Sequence, residues 1–193
     1  MEELEIYAMD NRIPIMQKDG ILYLIDYIKK NNIKSILEIG SAIGYSAIMM
    51  ASINSDIKII TIERDKERYD IAVENINKFK LDKQITIIYS DATLVELDDK
   101  FDLIFIDAAK GKNTYFFNKF KDNLNINGTI ITDNLSFHGL VEDNTLIKTK
   151  NQRGIVNKIK DYINFLENNS EFTTTYVEVG DRISISKRRD NDE

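Results

Sequence analysis

The sequence predicts an α/β protein in which a mostly parallel sheet is covered by helices on both faces and ends in a β-hairpin. Short apolar runs rich in isoleucine alternate along the chain with stretches whose apolar residues recur at helical spacing. The runs are apolar throughout, which is typical of strands buried on both faces. Strands that alternate with helices imply right-handed crossovers, and such crossovers make the strands parallel.

The first half of the chain alternates helices with strands. The predicted elements are a helix with Ile21, Leu24, Ile25 and Ile28 on one face, a strand at 34–39, a helix at 44–53, a strand at 58–63, a helix that begins after Asp65 as its N-cap, and a strand at 85–89. Three strands and their connecting helices therefore form the first part of the sheet.

The second half continues this alternation and then ends differently. The predicted elements are strands at 101–107 and 129–133 with an aromatic helix at 114–124 between them, a polar stretch at 142–153, a helix built on Ile155, Ile159, Ile163 and Leu166, and strands at 173–179 and 182–187. Gly128 is expected to follow the aromatic helix. Only Gly180 and Asp181 separate the last two strands, which indicates a β-hairpin.

Length and composition exclude several classes of protein. The 193 residues suffice for one sizeable core, so we expect one domain over 1–193, with an N-terminal segment at 1–19 and a frayed tail at 188–193. Because cysteine is absent, disulfides, a thiolate nucleophile and cysteine-type zinc sites are excluded. The acidic N-terminus and the lack of a long apolar run predict no membrane span and a cytoplasmic location. A net charge of −6 disfavours broad, non-specific nucleic-acid binding.

Acidic residues stand at or just after the carboxyl ends of five predicted strands. They are Glu38, Glu63, Asp91, Asp107 and Asp133, the last followed by Asn134. In open α/β sheets this edge holds the ligand-binding crevice. Because clustered carboxylates repel one another unless a cation or a hydrogen-bonding ligand offsets them, the pattern predicts a binding site there.

Two glycines, Gly40 and Gly44, follow the first strand in the pattern G-x-x-x-G. Glycines let the chain turn sharply and approach a ligand closely, and an acidic residue about 20 positions later, here Glu63, can accept hydrogen bonds from ribose hydroxyls. The spacing differs from the dinucleotide motif, and the chain has no G-K-[ST] phosphate loop, so nicotinamide and nucleoside triphosphates are disfavoured. Alternatively, the two glycines serve only to pack a helix on a strand.

Five segments, in their order and spacing, resemble the class I S-adenosylmethionine-dependent O-methyltransferases of the catechol and caffeoyl-CoA type. They are LEIGSAIGYS, TIERD, SDAT, FDLIFIDAAK and GTIITDNLSFHG, and the resemblance extends from about Gly20 to Lys187. It implies a Rossmann-like, seven-stranded, mostly parallel sheet whose last strand is antiparallel, in agreement with the predicted hairpin. It also implies a homodimer.

The same resemblance implies roles for individual residues. The loop from Gly40 to Gly44, which includes Ser41, and Ser46 would hold the methionine portion of S-adenosylmethionine, Glu63 the ribose, and Asp91 with Ala92 the adenine edge, and Glu38 and Asp107 would also belong to the cofactor site. Asp107, Asp133 and Asn134 would bind the metal, and the catalytic residues would be Lys110, the candidate general base, and Asp107. Two carboxylates and an amide are hard oxygen ligands suited to Mg²⁺. Taken singly, Asp107 is also explained as a helix cap and Asp133 with Asn134 as a turn, and Lys112 lies close to Lys110.

Two further segments, NRIPIMQKDG and TKNQRG, resemble the bacterial tRNA 5-hydroxyuridine methyltransferases, which make 5-methoxyuridine at the wobble position of the anticodon. In that base O5 and the O4 carbonyl are vicinal, so one metal ion can bind both as it binds a catechol. The short N-terminus leaves little chain for a lid, and an open site suits a base presented by the single-stranded anticodon loop of a tRNA. Two alternatives remain: the same chemistry on a small catechol-like or hydroxylated aromatic molecule, and a catalytically silent module that binds S-adenosylmethionine or RNA.

Other side chains give weaker indications. Two basic clusters, Lys148, Lys150 and Arg153 in the polar stretch and Lys187, Arg188 and Arg189 near the C-terminus, either meet RNA phosphates or form solvated surface. Among Tyr115, Phe116 and Phe117, at least two are expected in the core. His138 is expected to pack or to line a substrate wall, and not to bind metal.

Overall fold

The computed structural model describes residues 2–189. Its helices are α1 Glu2–Asp10, α2 Lys18–Lys30, α3 Tyr45–Ala51, α4 Lys66–Lys78, α5 Asn113–Phe120 and α6 Lys150–Glu167. Its strands are β1 Ser35–Ile39, β2 Lys58–Glu63, β3 Ile85–Tyr89, β4 Phe101–Ile106, β5 Leu124–Thr132, β6 Phe172–Val177 and β7 Ile183–Arg188. Strands β2 and β3 have the bounds that the apolar pattern predicts.

The strands form one seven-stranded sheet in the order β3-β2-β1-β4-β5-β7-β6. Strands β1 to β5 pair in parallel, and β7 pairs antiparallel with both β5 and β6. This confirms the predicted fold class, including the terminal hairpin. Because the strand order reverses between β1 and β4, the connections after these two strands lead to helices on opposite faces of the sheet, α3 and α5, and leave a crevice at this edge.

Helices cover both faces of the sheet, as predicted. Side chains of α1, α2, α3 and α4 pack with Ile36 on one face, and those of α5 and α6 pack with Leu37 and Ile39 on the other. Successive residues of β1 point to opposite faces because a strand has a period of two. Glu38 therefore points towards α3 and is fully buried.

Strand β5 begins at Leu124, although the predicted strand begins at 129. Its register with β4 shifts here, since Phe101 pairs with Leu124 but Leu103 pairs with Thr129. The additional residues form a bulge in which a Cβ at Gly128 would lie 2.7 Å from Leu124 Cδ1. Gly128 follows the aromatic helix in the chain, as predicted, but it lies within the bulged strand, so the predicted start of the strand at 129 is wrong.

Helix α6 begins at Lys150, before its apolar pattern starts. The Thr149 hydroxyl accepts a hydrogen bond from the Gln152 N–H at 3.1 Å, and the Gln152 side chain accepts one from the Thr149 N–H at 3.0 Å, which forms a capping box. The prediction of a polar stretch through residue 153 is wrong at its end because the first turn of the helix buries no apolar side chain. Lys150 and Arg153 therefore lie on a helix.

The buried face of α6 is slightly rotated from the predicted one. Its buried residues are Val156, Ile159, Tyr162 and Leu166, whereas Ile155 and Ile163 are partly buried. This rotation leaves Ile155 at the edge of the helix contact, next to the cavity described below.

Strand β7 extends beyond the predicted hairpin. Arg188 ends the strand, and the Arg189 N–H donates to Glu171 O at 2.9 Å. The prediction of a frayed tail is wrong for these two residues, and its remaining part, 190–193, lies outside the described residues. Within 2–189, none of the helices is long and apolar enough to cross a membrane.

Candidate active site

A cavity of about 770 Å³ opens at the carboxyl ends of β1 to β5. It lies where the strand order reverses, the position at which open α/β sheets bind ligands. The predicted site residues that line it are Gly40, Ser41, Ser46, Glu63, Asp91, Ala92, Asp107, Lys110 and Asn134. Glu38, Gly44 and Asp133 do not line it.

The two glycines after β1 do different things. Gly40 has a φ of +99°, and a Cβ there would lie 2.3 Å from Asp107 O, so only glycine lets this loop cross the end of β4. Gly44 has a φ of +82° at the start of α3 and packs against Ala72 of α4. The packing alternative therefore describes Gly44, whereas Gly40 brings the β1 and β4 loops into contact.

Glu38 lies beneath this loop. Its carboxylate accepts hydrogen bonds from the Ser46 and Thr61 hydroxyls, and the Thr61 and Ser41 hydroxyls are bonded to each other at 2.6 Å. Burial raises the pKa of Glu38 to about 7, although both hydrogen bonds act in the opposite direction. Glu38 thus holds Ser41 and Ser46, which line the cavity, through a network whose member Thr61 the sequence did not indicate.

Glu63 is held by backbone groups around it. Its Oε2 accepts from the Ala42 N–H at 2.8 Å, and its Oε1 accepts from the N–H groups of Arg64 and Asp65 at 2.9 Å each. A carboxylate has about four acceptor positions, so one remains for a ligand. Glu63 can therefore accept a hydrogen bond from a hydroxyl in the cavity.

Asp91 is the second carboxylate on this side. Its Oδ1 accepts from the Thr93 N–H and hydroxyl at 2.9 and 2.8 Å, and its Oδ2 lies 3.4 Å from Lys112 Nζ and 3.6 Å from Arg64. The hydrogen bonds from Thr93, together with the charge of Lys112, lower the pKa of Asp91 to about 2. Lys112 therefore pairs with Asp91, while Ala92 forms the adjacent wall.

Lys110 lies between two of the predicted metal ligands. Its Nζ donates to Asn134 Oδ1 and lies 3.2 Å from Asp107 Oδ1. Asp133 is buried beside them and accepts from the Asn134 N–H at 2.7 Å. Burial and then the charge of Asp107 raise the pKa of Asp133 to about 7, against the charge of Lys110. The structure thus brings these four side chains together at the ends of β4 and β5.

This group fits a hard divalent cation. The Lys110 ammonium bridges one oxygen of Asp107 and one of Asn134, so both oxygens already face a position that favours positive charge. Two carboxylates and an amide leave room in an octahedral shell for water and substrate oxygens. Within residues 2–189, no group of three or more His, Cys, Asp or Glu side chains is arranged to hold a metal ion, so a metal bound here would need the Asn134 amide oxygen as a ligand.

Asp181 is a site residue that sequence reasoning missed. It was expected only in the hairpin turn, but it lines the cavity and is 4% exposed. Its carboxylate accepts hydrogen bonds from Asn134 Nδ2 at 3.3 Å and from the His138 N–H at 2.6 Å. Helix α6 and strand β6 separate it from Asn134 along the chain, so no local spacing connects the two.

The N-terminal segment supplies a wall of the cavity. Its residues 14–17, between α1 and α2, line the cavity together with Tyr45, whose hydroxyl donates to Glu5 of α1 at 2.7 Å. The expectation that the short N-terminus leaves little chain to cover the site is therefore corrected on this side. A few extended residues suffice because α1 holds them against α3.

The remaining aromatic predictions have clear outcomes. Phe116 and Phe117 are buried and Tyr115 is half exposed, which confirms that at least two of the three lie in the core. His138 lines the cavity with a side chain that is 72% exposed, so it belongs to the wall and not to the packing.

The two basic clusters lie outside the cavity lining. Lys148, Lys150 and Arg153 precede or begin α6 and do not line the cavity. In the C-terminal cluster the Arg188 guanidinium donates to Lys121 O at 2.7 Å, and the Arg189 guanidinium donates to Phe172 O at 3.3 Å. These two arginines therefore tie the sheet edge together.

Several known proteins that are similar to this chain are O-methyltransferases. A family model described as O-methyltransferase matches residues 1–189. A putative caffeoyl-CoA O-methyltransferase from Staphylococcus aureus, known from a crystal structure, is similar with a TM-score of 0.93 and 36% identity, over 97% of this chain and 91% of that one. A putative caffeoyl-CoA O-methyltransferase from Arabidopsis thaliana is 27% identical over 172 residues, which are 86% of this chain and 74% of the plant protein. An O-methyltransferase from Bacillus cereus in complex with SAH shares the fold, with a TM-score of 0.81 and 24% identity over 97% and 90% of the two chains.

Proposed function

Because the chain belongs to the family of S-adenosylmethionine-dependent O-methyltransferases, we propose that it methylates the 5-hydroxyl of 5-hydroxyuridine at the wobble position 34 of tRNA to give 5-methoxyuridine. Of the two segments that resemble the tRNA enzymes, 11–20 contributes residues 14–17 to the cavity wall, whereas no residue of 149–154 lines the cavity. The position of residues 14–17 is the observation that supports an RNA acceptor, since residues beside the cavity can contact the acceptor whereas remote ones cannot.

The β1 side of the cavity is proposed to hold the methyl donor. The loop from Gly40 to Ser46 would receive the methionine portion, and the free acceptor position of Glu63 would take a ribose hydroxyl. Asp91 and Ala92 would border the adenine. Because Glu63 and Asp91 are already fixed by neighbouring N–H groups, this side needs little rearrangement to bind its ligand.

The β4 and β5 side is proposed to hold Mg²⁺ and the acceptor hydroxyl. Asp107, Asp133 and Asn134 would hold the ion, which when bound lowers the pKa of a coordinated hydroxyl. Lys110 Nζ, bonded to Asn134 and Asp107, is positioned to take the hydroxyl proton or to stabilise the oxyanion. The contact of Gly40 with Asp107 would fix the spacing of the two sides, and methyl transfer would gain from holding the acceptor oxygen close to the methyl donor.

The rim of the cavity suits an unstacked base. Phe137 and His138 both line it, and their ring centroids lie 5.8 Å apart with a tilt of 33°. RNA-binding proteins recognise bases from single-stranded loops by stacking them on such rings. The vicinal O5 and O4 of 5-hydroxyuridine would then face the metal position beside Asn134.

The same chemistry on a small catechol-like or hydroxylated aromatic molecule is the second candidate. The wall formed by Pro14, Ile15 and Met16 is apolar and would pack against such a ring. A catalytically silent module is the third candidate, and the group formed by Asp107, Lys110 and Asn134 disfavours it because a purely binding protein has no need of a lysine between metal ligands.

The deciding experiment measures methyl transfer from labelled S-adenosylmethionine to tRNA that carries 5-hydroxyuridine and, in parallel, to a catechol, with Mg²⁺ and with chelator. Label in RNA only, lost with chelator, is the expected result. Label in the catechol alone would move the activity to small molecules, and label in neither would favour the silent module.

Variants separate the metal chemistry from the substrate. Asp133→Ala is expected to abolish RNA methylation, whereas Asp82→Ala, which alters an exposed carboxylate in the turn before β3, is the matched control. Methylation by Asp133→Ala at the wild-type rate would contradict the proposed role of the metal.

The homodimer is likewise a proposal and rests on the family resemblance. Light scattering at micromolar concentration tests it, because one chain has a mass of 22.3 kDa. A stable species of that mass would contradict the proposal.

A further inference from the structure

We infer that Asp181 is a positioning residue that fixes the amide orientation of Asn134, so that Asn134 Oδ1 faces Lys110 and the metal position. This inference rests on the proposed function, in which Asn134 contributes an oxygen to Mg²⁺. It concerns a residue of the hairpin turn that is not itself in the proposed ligand set. It also gives the hairpin a function in the reaction.

The hydrogen bonds at Asn134 define the orientation. An asparagine side chain has a donor end and an acceptor end, whereas a carboxylate only accepts. Asp181 Oδ2 lies 3.3 Å from Asn134 Nδ2, and Lys110 Nζ donates to Asn134 Oδ1 on the other side. A flipped amide would put an oxygen against the Asp181 carboxylate and N–H groups against the Lys110 ammonium, which is unfavourable at both ends.

Asp181 is itself firmly placed. Its Oδ1 accepts from the His138 N–H at 2.6 Å, and its backbone carbonyl accepts from the Ser136 N–H at 3.0 Å. The adjacent Arg182 carbonyl accepts from the Leu135 N–H at 2.9 Å. The hairpin turn is therefore bonded at three points to the segment that follows β5.

That segment needs such support because its backbone is unusual. Asn134, Phe137 and His138 have φ values of +64°, +50° and +58°, a conformation that residues other than glycine seldom adopt. Such a backbone conformation is unfavourable, and it persists only where the surroundings hold it in place. The bonds from the hairpin turn supply that support, and they act on the metal ligand Asn134 directly.

The Asp181 carboxylate has no Lys or Arg partner within 4.0 Å among residues 2–189. The neighbouring Arg182 pairs with Glu142 and Glu178, and the His138 ring, whose Nδ1 lies 4.0 Å from Asp181 Oδ1, is exposed. Burying an unpaired carboxylate is costly, so a purely structural turn gains little from aspartate here. A carboxylate is suited to this position because it accepts from two N–H donors and stands beside a cation site.

The experiment measures binding of Mn²⁺ alone to the full chain by electron paramagnetic resonance of the free ion. Asp181→Asn is expected to weaken Mn²⁺ binding about 10- to 100-fold, because its amide no longer dictates which end of Asn134 faces the metal. Binding of S-adenosylmethionine and the melting temperature serve as readouts of general damage and are expected to stay unchanged.

A second background isolates the orientation effect. In Asn134→Asp both ends of residue 134 are equivalent oxygens, so adding Asp181→Asn is expected to change Mn²⁺ binding less than about threefold. An equal loss in both backgrounds would mean that Asp181 acts through its charge or as a direct ligand, and would overturn the inference. Should Asp181→Asn fail to fold, Asp181→Ser, which keeps an acceptor for the His138 N–H, replaces it in both backgrounds.

The remaining outcomes are also decisive. If the wild type binds Mn²⁺ and Asp181→Asn binds it with the same affinity, this inference alone is overturned. A wild-type chain that binds no Mn²⁺ would overturn the proposed metal chemistry together with it.

Discussion

The two sides of the cavity differ in how their carboxylates are stabilised. On the β1 to β3 side, Glu63 and Asp91 accept hydrogen bonds from backbone and hydroxyl groups, most of them from adjacent residues. On the β4, β5 and hairpin side, Asp107, Asp133 and Asp181 lie close together, and the ammonium of Lys110 is the cation among them. The carboxylates of the first side are already stabilised by neighbouring groups, and those of the second side are suited to an added cation.

This difference indicates which part of the site is already in place before a ligand binds. The β1 to β3 side is proposed to bind the methyl donor and is called the donor side. Its carboxylates accept hydrogen bonds mostly from residues next to them in sequence, so they are held in place once β1 to β3 are paired. The β4, β5 and hairpin side, proposed to bind the substrate hydroxyl and called the acceptor side, gathers carboxylates from three separate segments, and a bound cation would relieve their repulsion. Four substitutions test this difference between the two sides, in order of decreasing expected effect.

Lys110→Met should break the acceptor side and spare the donor side. The change keeps the length of the side chain but removes the group that takes a proton or stabilises the oxyanion, so methyl transfer should fall about 10²- to 10⁴-fold. Single-turnover transfer measures this, and calorimetry should find binding of S-adenosylmethionine unchanged. Lys29→Met, on the exposed face of α2, is the control. A variant as fast as wild type would remove Lys110 from the chemistry.

Gly40→Ala should damage both sides, because Gly40 is where they touch. Its Cβ would lie 2.3 Å from Asp107 O at a φ of +99°, so the free energy of unfolding should drop by about 3 kcal/mol, as measured in urea. Gly154→Ala is the matched control. Gly154 lies in helix α6, and a Cβ there would meet no atom within 4 Å. Because alanine favours a helix more than glycine does, that variant should be about 1 kcal/mol more stable than wild type. Equal effects at the two positions would contradict the close contact.

Glu38 should make the donor side sensitive to pH. Burial raises its pKa from 4.5 to about 7, so between these values the folded state binds more protons than the unfolded state. The free energy of unfolding contributed by Glu38 therefore falls as pH rises through that window, by on the order of 3 kcal/mol, and stays low above it. Denaturation of wild type and Glu38→Gln in chelator tests this, since the difference between them should grow with pH in favour of the variant. A constant difference would contradict it.

Glu63→Gln should weaken the donor side alone, and by the smallest factor. It replaces the carboxylate that accepts from Ala42, Arg64 and Asp65 and that has one position free for a ligand, so affinity for S-adenosylmethionine should drop about tenfold. Calorimetry measures this, with Glu67→Gln on the exposed side of α4 as control. Binding of Mn²⁺ should be unaffected, and a parallel loss of metal affinity would show that the two sides are coupled.

Sequence reasoning recovers the donor side well because its residues follow their strands directly. A β-branched run ending in Glu63 fixes both the strand and the position of the carboxylate, and the same holds for Asp91 after β3. Glu38 was harder, because the period of a strand shows which face a residue takes but not that hydroxyls of α3 and β2 will cover it. Because the Ser46 and Thr61 side chains cover it, Glu38 lies beneath the cavity and does not line it.

The missed features depend on contacts between distant segments. Asp181 reads as a turn residue in sequence, and only the docking of the hairpin beside β5 brings it to Asn134. Residues 14–17 form a wall because α1 packs on α3, which no periodicity in so short a segment reveals. The early start of β5 was missed because a bulge carries no alternating or apolar signal.

The docking of the hairpin also has a consequence for how the protein is made. Gly180 at the tip of the turn packs against Gly20 at the start of α2, where an added Cβ would lie 3.2 Å from the Gly20 Cα, next to the wall at residues 14–17. Contacts between segments so far apart close slowly, since the loop entropy must be lost before they form. Asp181 is the last of the site residues to leave the ribosome, so the support that it gives to Asn134 is the last part of the site that can form during synthesis.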